Sequence, residues 1–212
     1  PAALVGENAA DPKSAGVTVE ENDSIRLWHQ NDGILIASFK TKMNTIGPDV
    51  LDGLQKAVAI AEKDYSGLVI WQPGSLSGGP FSAGADLQAA MPLFMSGGAK
   101  AVEPFVKKFQ DTAMCLKYAQ VPVVAALAGL ALGGGVETAI HCAHRVAHLE
   151  TYMGLVELGV GLVPAGGGLK EAALRAARDG GAYGYTNLTE FIKPWFQNVA
   201  MAKVSKSALE AR

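Results

Sequence analysis

The stretch Ala128-Gly129-Leu130-Ala131-Leu132-Gly133-Gly134-Gly135-Val136-Glu137 places three consecutive glycines two residues before a carboxylate. Glycine loses more backbone entropy on folding than any other residue and buries no side chain, so such a run marks a sharp turn or a close approach of the backbone to another group. The apolar residues 121–127 predict a buried strand, and residues 136–142 predict the opening of a helix. Free N–H groups and the positive end of a helix dipole would therefore meet at this turn and favour an oxyanion or a phosphate.

A second glycine-rich turn occurs earlier in the chain. Residues 67–71 predict a strand, and residues 78–87 contain three glycines before the apolar stretch 87–95. We expect each of the two turns to open a helix and to present backbone N–H groups. If one N–H from each turn meets the same carbonyl oxygen, the pair forms an oxyanion hole.

Glu157 lies within the otherwise uncharged, glycine-punctuated stretch 152–164. Buried carboxylates are rare unless they are paired or used in chemistry. Glu137 and Glu157 in one apolar pocket would have pKa values pushed apart, so that one stays protonated while the other is ionised. Glu137 also has a simpler interpretation, as an ordinary acid in the first turn of a helix, stabilised by the helix dipole by about half a kcal/mol.

Three linked motifs, in this order and at these separations, resemble the enoyl-CoA hydratase/isomerase (crotonase) superfamily. They are Ser82-Ala83-Gly84-Ala85-Asp86-Leu87, Gly133-Gly134-Gly135-Val136-Glu137 and Glu157-Leu158-Gly159-Val160-Gly161-Leu162-Val163-Pro164. The resemblance implies an α/β fold of the crotonase (ClpP-like) type, a right-handed spiral of ββα units. Residues 42–46, 150–157 and 200–205 are further similar to the hydratase portion of bacterial fatty-acid oxidation enzymes that carry 3-hydroxyacyl-CoA dehydrogenase domains upstream. On that interpretation the chain is a piece of a larger protein.

The resemblance also implies roles for individual residues. The backbone N–H groups of Ala85 and Gly134 would hold the thioester oxygen, and Glu137 and Glu157 would jointly hold the water, with Glu157 giving the proton to C2. A larger group would bind substrate: Lys42, Met43, Asn44, Ala83, Gly84, Gly133, Pro164 and Ala165. The substrate would be an acyl-CoA thioester. No separate cofactor is expected in this domain, and NAD would bind only in an upstream dehydrogenase domain.

The implied activity is addition of water across the 2,3 double bond of trans-2-enoyl-CoA in fatty-acid β-oxidation. A Δ3,Δ2-enoyl-CoA isomerase is an alternative, but it can work with a single acid, so the presence of both glutamates favours the hydratase. A non-catalytic acyl-CoA binding or assembly module is the alternative from another class. Lys42 could simply be solvated, and the apolar residues 91–95 could either line an acyl pocket or pack in the core.

Bulk properties exclude several other classes. The chain has 212 residues, 49% hydrophobic and 18% charged, which suits a globular domain. A net charge of -2 provides no basic field for nucleic acid. No apolar run is long enough to span a membrane, and residues 1–11 lack the layout of a signal peptide, so we expect a cytoplasmic location. His141, His144 and His148 have no carboxylate or thiolate at ligand spacing, so no metal site is expected.

The chain divides into a linker or leader over 1–22, a crotonase core over 23–178 and a partial C-terminal helical segment over 179–212, with a glycine-broken loop at 179–181. The end of the chain resembles an unfinished helix. The family resemblance implies either a trimer-type homo-oligomer or contacts to fused dehydrogenase domains. Cys115 and Cys142 are expected to be reduced and packed as small apolar residues.

Local signals predict individual elements. An Asn31-Asp32-Gly33 turn joins strands at 25–28 and 34–39 into a hairpin. Pro48 begins an amphipathic helix, a second one covers 102–116, and Asp86 is the N-cap of the helix that begins at Leu87.

Overall fold

The computed structural model describes residues 16–184 and 186–211. The described residues form one six-stranded sheet with strands in sequential order, together with five helices. The strands are β1 (Val17–Glu21), β2 (Ile25–His29), β3 (Ile34–Phe39), β4 (Gly67–Trp71), β5 (Val123–Leu132) and β6 (His144–Gly154). The helices are α1 (Pro48–Asp64), α2 (Leu87–Lys117), α3 (Gly134–His141), α4 (Gly168–Ala182) and α5 (Thr189–Ala200).

The sheet is mixed. β1, β2 and β3 form an antiparallel meander, and the predicted turn at Asn31–Gly33 joins β2 to β3. From β3 onward the neighbouring strands run parallel, each joined to the next by a segment that contains a helix. Because parallel strands end at the same edge of a sheet, the loops after β3, β4 and β5 meet there.

The core lies between the sheet and the helices α1 and α2. α1 begins with Pro48 at its first turn, as predicted, and buries the face that carries Leu51, Leu54 and Val58. These side chains meet the fully buried Leu68 of β4 in one cluster. Each such side chain contributes about 1.5–3 kcal/mol by leaving water. This packing holds α1 against the sheet, and the loops converge at the carboxyl ends of the parallel strands of that sheet.

Backbone bridges connect the loop after β4 to the strand and loop beside it. Ser82 pairs with β5, since its N–H donates to the Leu130 carbonyl at 3.1 Å and its own carbonyl accepts from Leu132 N at 2.9 Å. Three residues later Ala85 is bridged to Ile46, in the loop after β3. Asp86 then caps α2 as predicted, with Oδ1 accepting from Gln88 N at 3.0 Å. α2 breaks at Gly98, which separates the two helical segments predicted at 87–95 and 102–116.

The structure differs from the sequence predictions in three places. β5 continues to Leu132 rather than ending near residue 127, because Gly129 adopts φ +66° at a bulge and the strand resumes beyond it. The loop predicted at 179–181 is wrong, since α4 runs through these residues to Ala182. Residues 17–21, assigned to the leader, form β1; the rest of the leader, up to residue 15, lies outside the described residues. Among the described helices, none is both long and apolar enough to cross a bilayer.

Candidate active site

Glu137 lies in the first turn of α3 and is only 4% exposed. Its Oε1 accepts a hydrogen bond from the backbone N–H of Gly168 at 2.8 Å. Burial raises the pKa of Glu137 to about 7. The backbone N–H groups of Gly168, Gly166 and Gly167 oppose this rise, and the nearby charge of Glu157 adds to it. A carboxyl group whose pKa lies near neutrality can both take and give a proton there. Glu137 is therefore an acid in the first turn of a helix, as in the simpler interpretation, but its burial and raised pKa are not those of an ordinary one.

Glu157 opens a short 3-10 turn (Glu157–Val160) three residues after β6. Its carboxylate lies over the bare Cα of Gly133, where an added Cβ would be 3.0 Å from Oε1. Burial raises the pKa of Glu157, although the hydrogen bond from its own backbone N–H opposes the rise. Oε2 is buried and has no hydrogen-bond partner among the described residues. An unpaired buried oxygen is costly, so this atom is available to a ligand.

The two expected oxyanion donors lie next to each other. A Cβ added to Gly134 would lie 3.1 Å from the backbone nitrogen of Ala85, and one added to Gly84 would lie 3.2 Å from the nitrogen of Gly134. The atoms Gly84 O and Asp86 N are engaged by Ile46, which turns the Ala85 N–H to the opposite side. Within residues 16–184 and 186–211, neither Ala85 N nor Gly134 N has an acceptor. Gly134 opens α3, so its N–H also carries the positive end of a helix dipole.

The predicted substrate residues Lys42, Met43 and Asn44 form a 3-10 turn on the same side of the sheet. This turn is tied to the loop after β4, because Asn44 Nδ2 donates to the Pro80 carbonyl at 2.7 Å and Ala83 N donates to the Met43 carbonyl at 3.1 Å. Lys42 and Met43 are exposed, so they are accessible from solvent beside the N–H pair. A CoA chain passing there remains a prediction.

The glycine run Gly166–Gly168 was missed by the sequence reasoning. It follows the predicted substrate residues Pro164 and Ala165. Its backbone packs against both oxygens of the Glu137 carboxylate, since a Cβ added to Gly166 would lie 2.6 Å from Oε2 and one added to Gly168 would lie 3.0 Å from Oε1. Gln110 of α2 holds this loop by donating to the Ala165 carbonyl at 2.8 Å. The signal was present, because a second triple glycine before a helix supports the same argument as the first.

Other predicted groups have simpler places. Met91, Leu93, Phe94 and Met95 are 46–78% exposed, so the core-packing interpretation is wrong, and an acyl-pocket role stays a prediction. His141 is buried, whereas His144 and His148 are exposed on β6. The thiols of Cys115 and Cys142 are free, and burial raises the pKa of Cys142 to about 12.

The chain resembles known proteins in sequence and in fold. The sequence model of the enoyl-CoA hydratase/isomerase family matches residues 33–183. A probable 3-hydroxyacyl-CoA dehydrogenase of Bacillus subtilis is 38% identical over 194 residues, which cover 92% of this chain and 23% of that protein. Methylglutaconyl-CoA hydratase of Mus musculus is 35% identical over 155 residues, covering 71% of this chain and 48% of that protein.

Among solved structures, an enoyl-CoA hydratase from Thermoplasma volcanium superposes with a TM-score of 0.69 at 25% identity, covering 90% of this chain and 68% of that one. A Geobacillus kaustophilus structure reaches a TM-score of 0.74 at 18% identity, covering 93% of this chain and 67% of that one. The chain spans about a quarter of the length of the dehydrogenase relative and about half that of the mouse hydratase. With its crotonase fold, its two glycine-rich turns and its matched sequence, this chain belongs to the enoyl-CoA hydratase/isomerase family.

Proposed function

We propose that this chain is the hydratase part of a multifunctional fatty-acid β-oxidation enzyme and adds water across the 2,3 double bond of a trans-2-enoyl-CoA. The observation that carries the proposal is a pair of interacting acids of raised pKa, one of which lies over Gly133, next to two backbone N–H groups without an acceptor among the described residues. Hydration of a conjugated thioester needs a base for water, an acid for C2 and a place for charge on the thioester oxygen. The relative named as a 3-hydroxyacyl-CoA dehydrogenase supports the fused arrangement.

The steps follow from the geometry. The thioester oxygen accepts hydrogen bonds from Ala85 N–H and Gly134 N–H, which stabilise it as an enolate. Ionised Glu137 takes a proton from water while the water oxygen bonds to C3. The electron pair of the double bond moves toward C2 and the thioester oxygen. Glu157 then gives its proton to C2, which leaves Glu137 protonated and Glu157 ionised, and proton exchange between them restores the starting state.

The division of roles rests on the partners of each carboxylate. Glu137 faces the N–H groups of Gly166, Gly167 and Gly168, and donors of this kind stabilise an anion. Glu157 has a buried oxygen without a donor, which suits a group that carries a proton. Because the two charges interact, the acids titrate as a pair, and their pKa values belong to the pair and not to either carboxyl group alone.

The proposal is tested with crotonyl-CoA, by following the absorbance of the conjugated enoyl thioester. We expect this absorbance to fall in the presence of the protein. A protein that instead converts trans-3-hexenoyl-CoA to the conjugated isomer, with no hydration, would be an isomerase and would contradict the proposal. Tight binding of both thioesters without turnover would identify a binding module and would contradict it as well.

Activity should depend on pH through Glu137. The pKa of Glu137 in the protein without substrate is about 7. As pH falls below that value, a growing fraction of Glu137 is protonated and cannot act as the base. We expect kcat/KM to have an acid limb near pH 7 and to be lower by roughly a hundredfold two pH units below it. An acid limb near 4.5, where an ordinary glutamate titrates, would contradict a base of raised pKa.

A cytoplasmic location and a trimer-type homo-oligomer stay predictions. Sedimentation of the purified chain measures the oligomeric state directly.

A further inference from the structure

A cluster of charged and titratable side chains lies next to Glu137, and two of its members, Glu171 and His141, are buried. Glu171, in the first turn of α4, is 5% exposed and accepts hydrogen bonds at Oε1 from the ammonium groups of Lys117 and Lys170, the latter at 2.6 Å. His141 of α3 is 2% exposed, and its Nε2 lies 2.7 Å from Lys170 Nζ. The proposed reaction uses none of these four side chains. They lie where the helices α2, α3 and α4 meet.

The partners of His141 determine its protonation. Nδ1 lies 2.6 Å from the backbone carbonyl oxygen of Glu137, and a carbonyl only accepts, so Nδ1 carries the hydrogen. A lysine ammonium only donates, so Nε2 must offer its lone pair to Lys170. His141 is therefore neutral and fixed in one tautomer. Burial is the main effect on the pKa of His141 and lowers it, and the charge of Lys170 lowers it further. A lowered pKa agrees with a neutral ring.

The same group reaches Glu137 from a second direction. Glu171 N donates to the Gly167 carbonyl at 3.0 Å, which closes the first turn of α4. Gly168, the first residue of that helix, donates its N–H to Glu137 Oε1 at 2.8 Å. Gly167 rests on the His141 ring so closely that a Cβ there would lie 2.6 Å from Cε1. Both the backbone carbonyl and the carboxylate of Glu137 are thus held by residues that this cluster fixes.

Burying the Glu171 carboxylate, with two partly exposed lysines as its partners, is an expensive way to pack three helices. Apolar residues of similar volume often stabilise a fold as well as or better than a buried ion pair does. Burial raises the pKa of Glu171, but the hydrogen bonds from Lys117 and Lys170 outweigh it and bring the pKa to about 2, so the carboxylate stays ionised. A set of fixed charges with defined hydrogen-bond directions supplies orientation, which an apolar contact does not.

We infer that Lys117, Glu171, Lys170 and His141 form a positioning network that aims the Glu137 carboxylate at the reacting water. The inference deepens the proposed function and rests on it. The charged and titratable groups facing Glu137 are Glu157 from the turn after β6 and His141 on its own helix, with Lys117 from α2 and Lys170 and Glu171 from α4 behind His141. The four network residues are positioning residues, and none of them touches the substrate.

Two substitutions at His141 separate positioning from packing. His141→Asn places an amide N–H near the position of Nδ1 and keeps the donor to the Glu137 carbonyl, whereas His141→Gln reaches toward Lys170 and loses that donor. We expect His141→Gln to lower kcat on crotonyl-CoA about 10-fold to 100-fold with KM changed less than twofold. His141→Asn should recover most of kcat. Equal losses in both variants would mean that His141 only packs.

A second readout does not depend on turnover. The pKa of Glu137 is measured by carboxyl NMR on protein with labelled glutamate, in the wild type and in Glu171→Gln. Loosening the start of α4 weakens the Gly168 N–H bond, which now lowers that pKa, so we expect the pKa to rise in the variant and the acid limb of kcat/KM to move to higher pH. Asp52→Asn, which removes the surface bridge from Lys108 at 2.6 Å, is the control and should change neither quantity.

If Glu171→Gln does not fold, Lys117→Met gives the same readout, because it removes the ion pair between α2 and Glu171 of α4. An unchanged Glu137 pKa in a folded variant would overturn the inference. A wild-type protein with no hydratase turnover but with the expected shift in that pKa would overturn the proposed function and leave the positioning network standing.

Discussion

Glu137→Gln and Glu157→Gln should each lower kcat for hydration of crotonyl-CoA by a factor of about 10²–10⁴, the usual contribution of one general acid or base. KM should change little, since in the proposed complex the thioester oxygen and the CoA chain contact other residues. Glu150→Gln is the matched control, because Glu150 lies on β6, is exposed and is outside the site. Retained turnover in both site variants would contradict the two-acid mechanism.

Glu137→Gln should also make the protein more stable. The native pKa of about 7 exceeds the 4.5 of an ordinary glutamate, so the native state binds more protons between these values and its free energy of unfolding falls as pH rises through them. The amide of the variant does not ionise, so its free energy of unfolding does not fall in this way as pH rises. Thermal unfolding at pH 8 should therefore show a gain of up to about 3 kcal/mol in the variant, and the gain should vanish near pH 4. A variant that loses both activity and stability at pH 8 would instead be misfolded.

Gly134→Ala should lower kcat by about 10²–10³, the cost of losing one oxyanion donor. The added Cβ would lie 3.1 Å from Ala85 N and 2.9 Å from Phe109 Cζ, so it enters the space between the two N–H groups. Gly134 has an ordinary negative φ, so backbone strain does not explain a loss there. The measurement is kcat and KM with crotonyl-CoA.

Gly181→Ala provides the control for a glycine-to-alanine change in a helix. An added Cβ at Gly181 meets nothing within 4 Å, so activity should stay the same and stability should rise by about 0.5–1 kcal/mol. If Gly134→Ala turns over as fast as the wild type, the thioester oxygen must bind elsewhere.

The sequence predicted the elements whose signals are local. Pro48 begins α1, Asp86 caps α2 and the Asp32-Gly33 turn joins β2 to β3, each from residues within a few positions of one another. The backbone N–H groups of Ala85 and Gly134 also lie next to each other, because motif order and strand order coincide in a parallel sheet.

Two of the failures come from glycines interpreted only as chain breakers. Gly129 permits a bulge inside β5, and Gly180 lies within α4 because Leu188 and Phe191 pack against its bare Cα. From the sequence alone, a glycine at a bulge or beneath packed side chains in a helix cannot be told from a glycine in a turn. The positioning network could not be predicted either, since Lys117, His141 and Glu171 are far apart in the chain and only the packing of three helices brings them together.

The tie between Gly133 N and the Gly154 carbonyl, at 2.8 Å, joins the turn that carries the Gly134 donor to the strand end that leads to Glu157. Both parts are therefore set by the fold, and in the proposed reaction the peptide dipoles need not rotate when charge develops on the thioester. Water around the same reaction would have to reorient its molecules at that moment. The reorganisation energy of the solvent is thus replaced by an arrangement that was completed during folding.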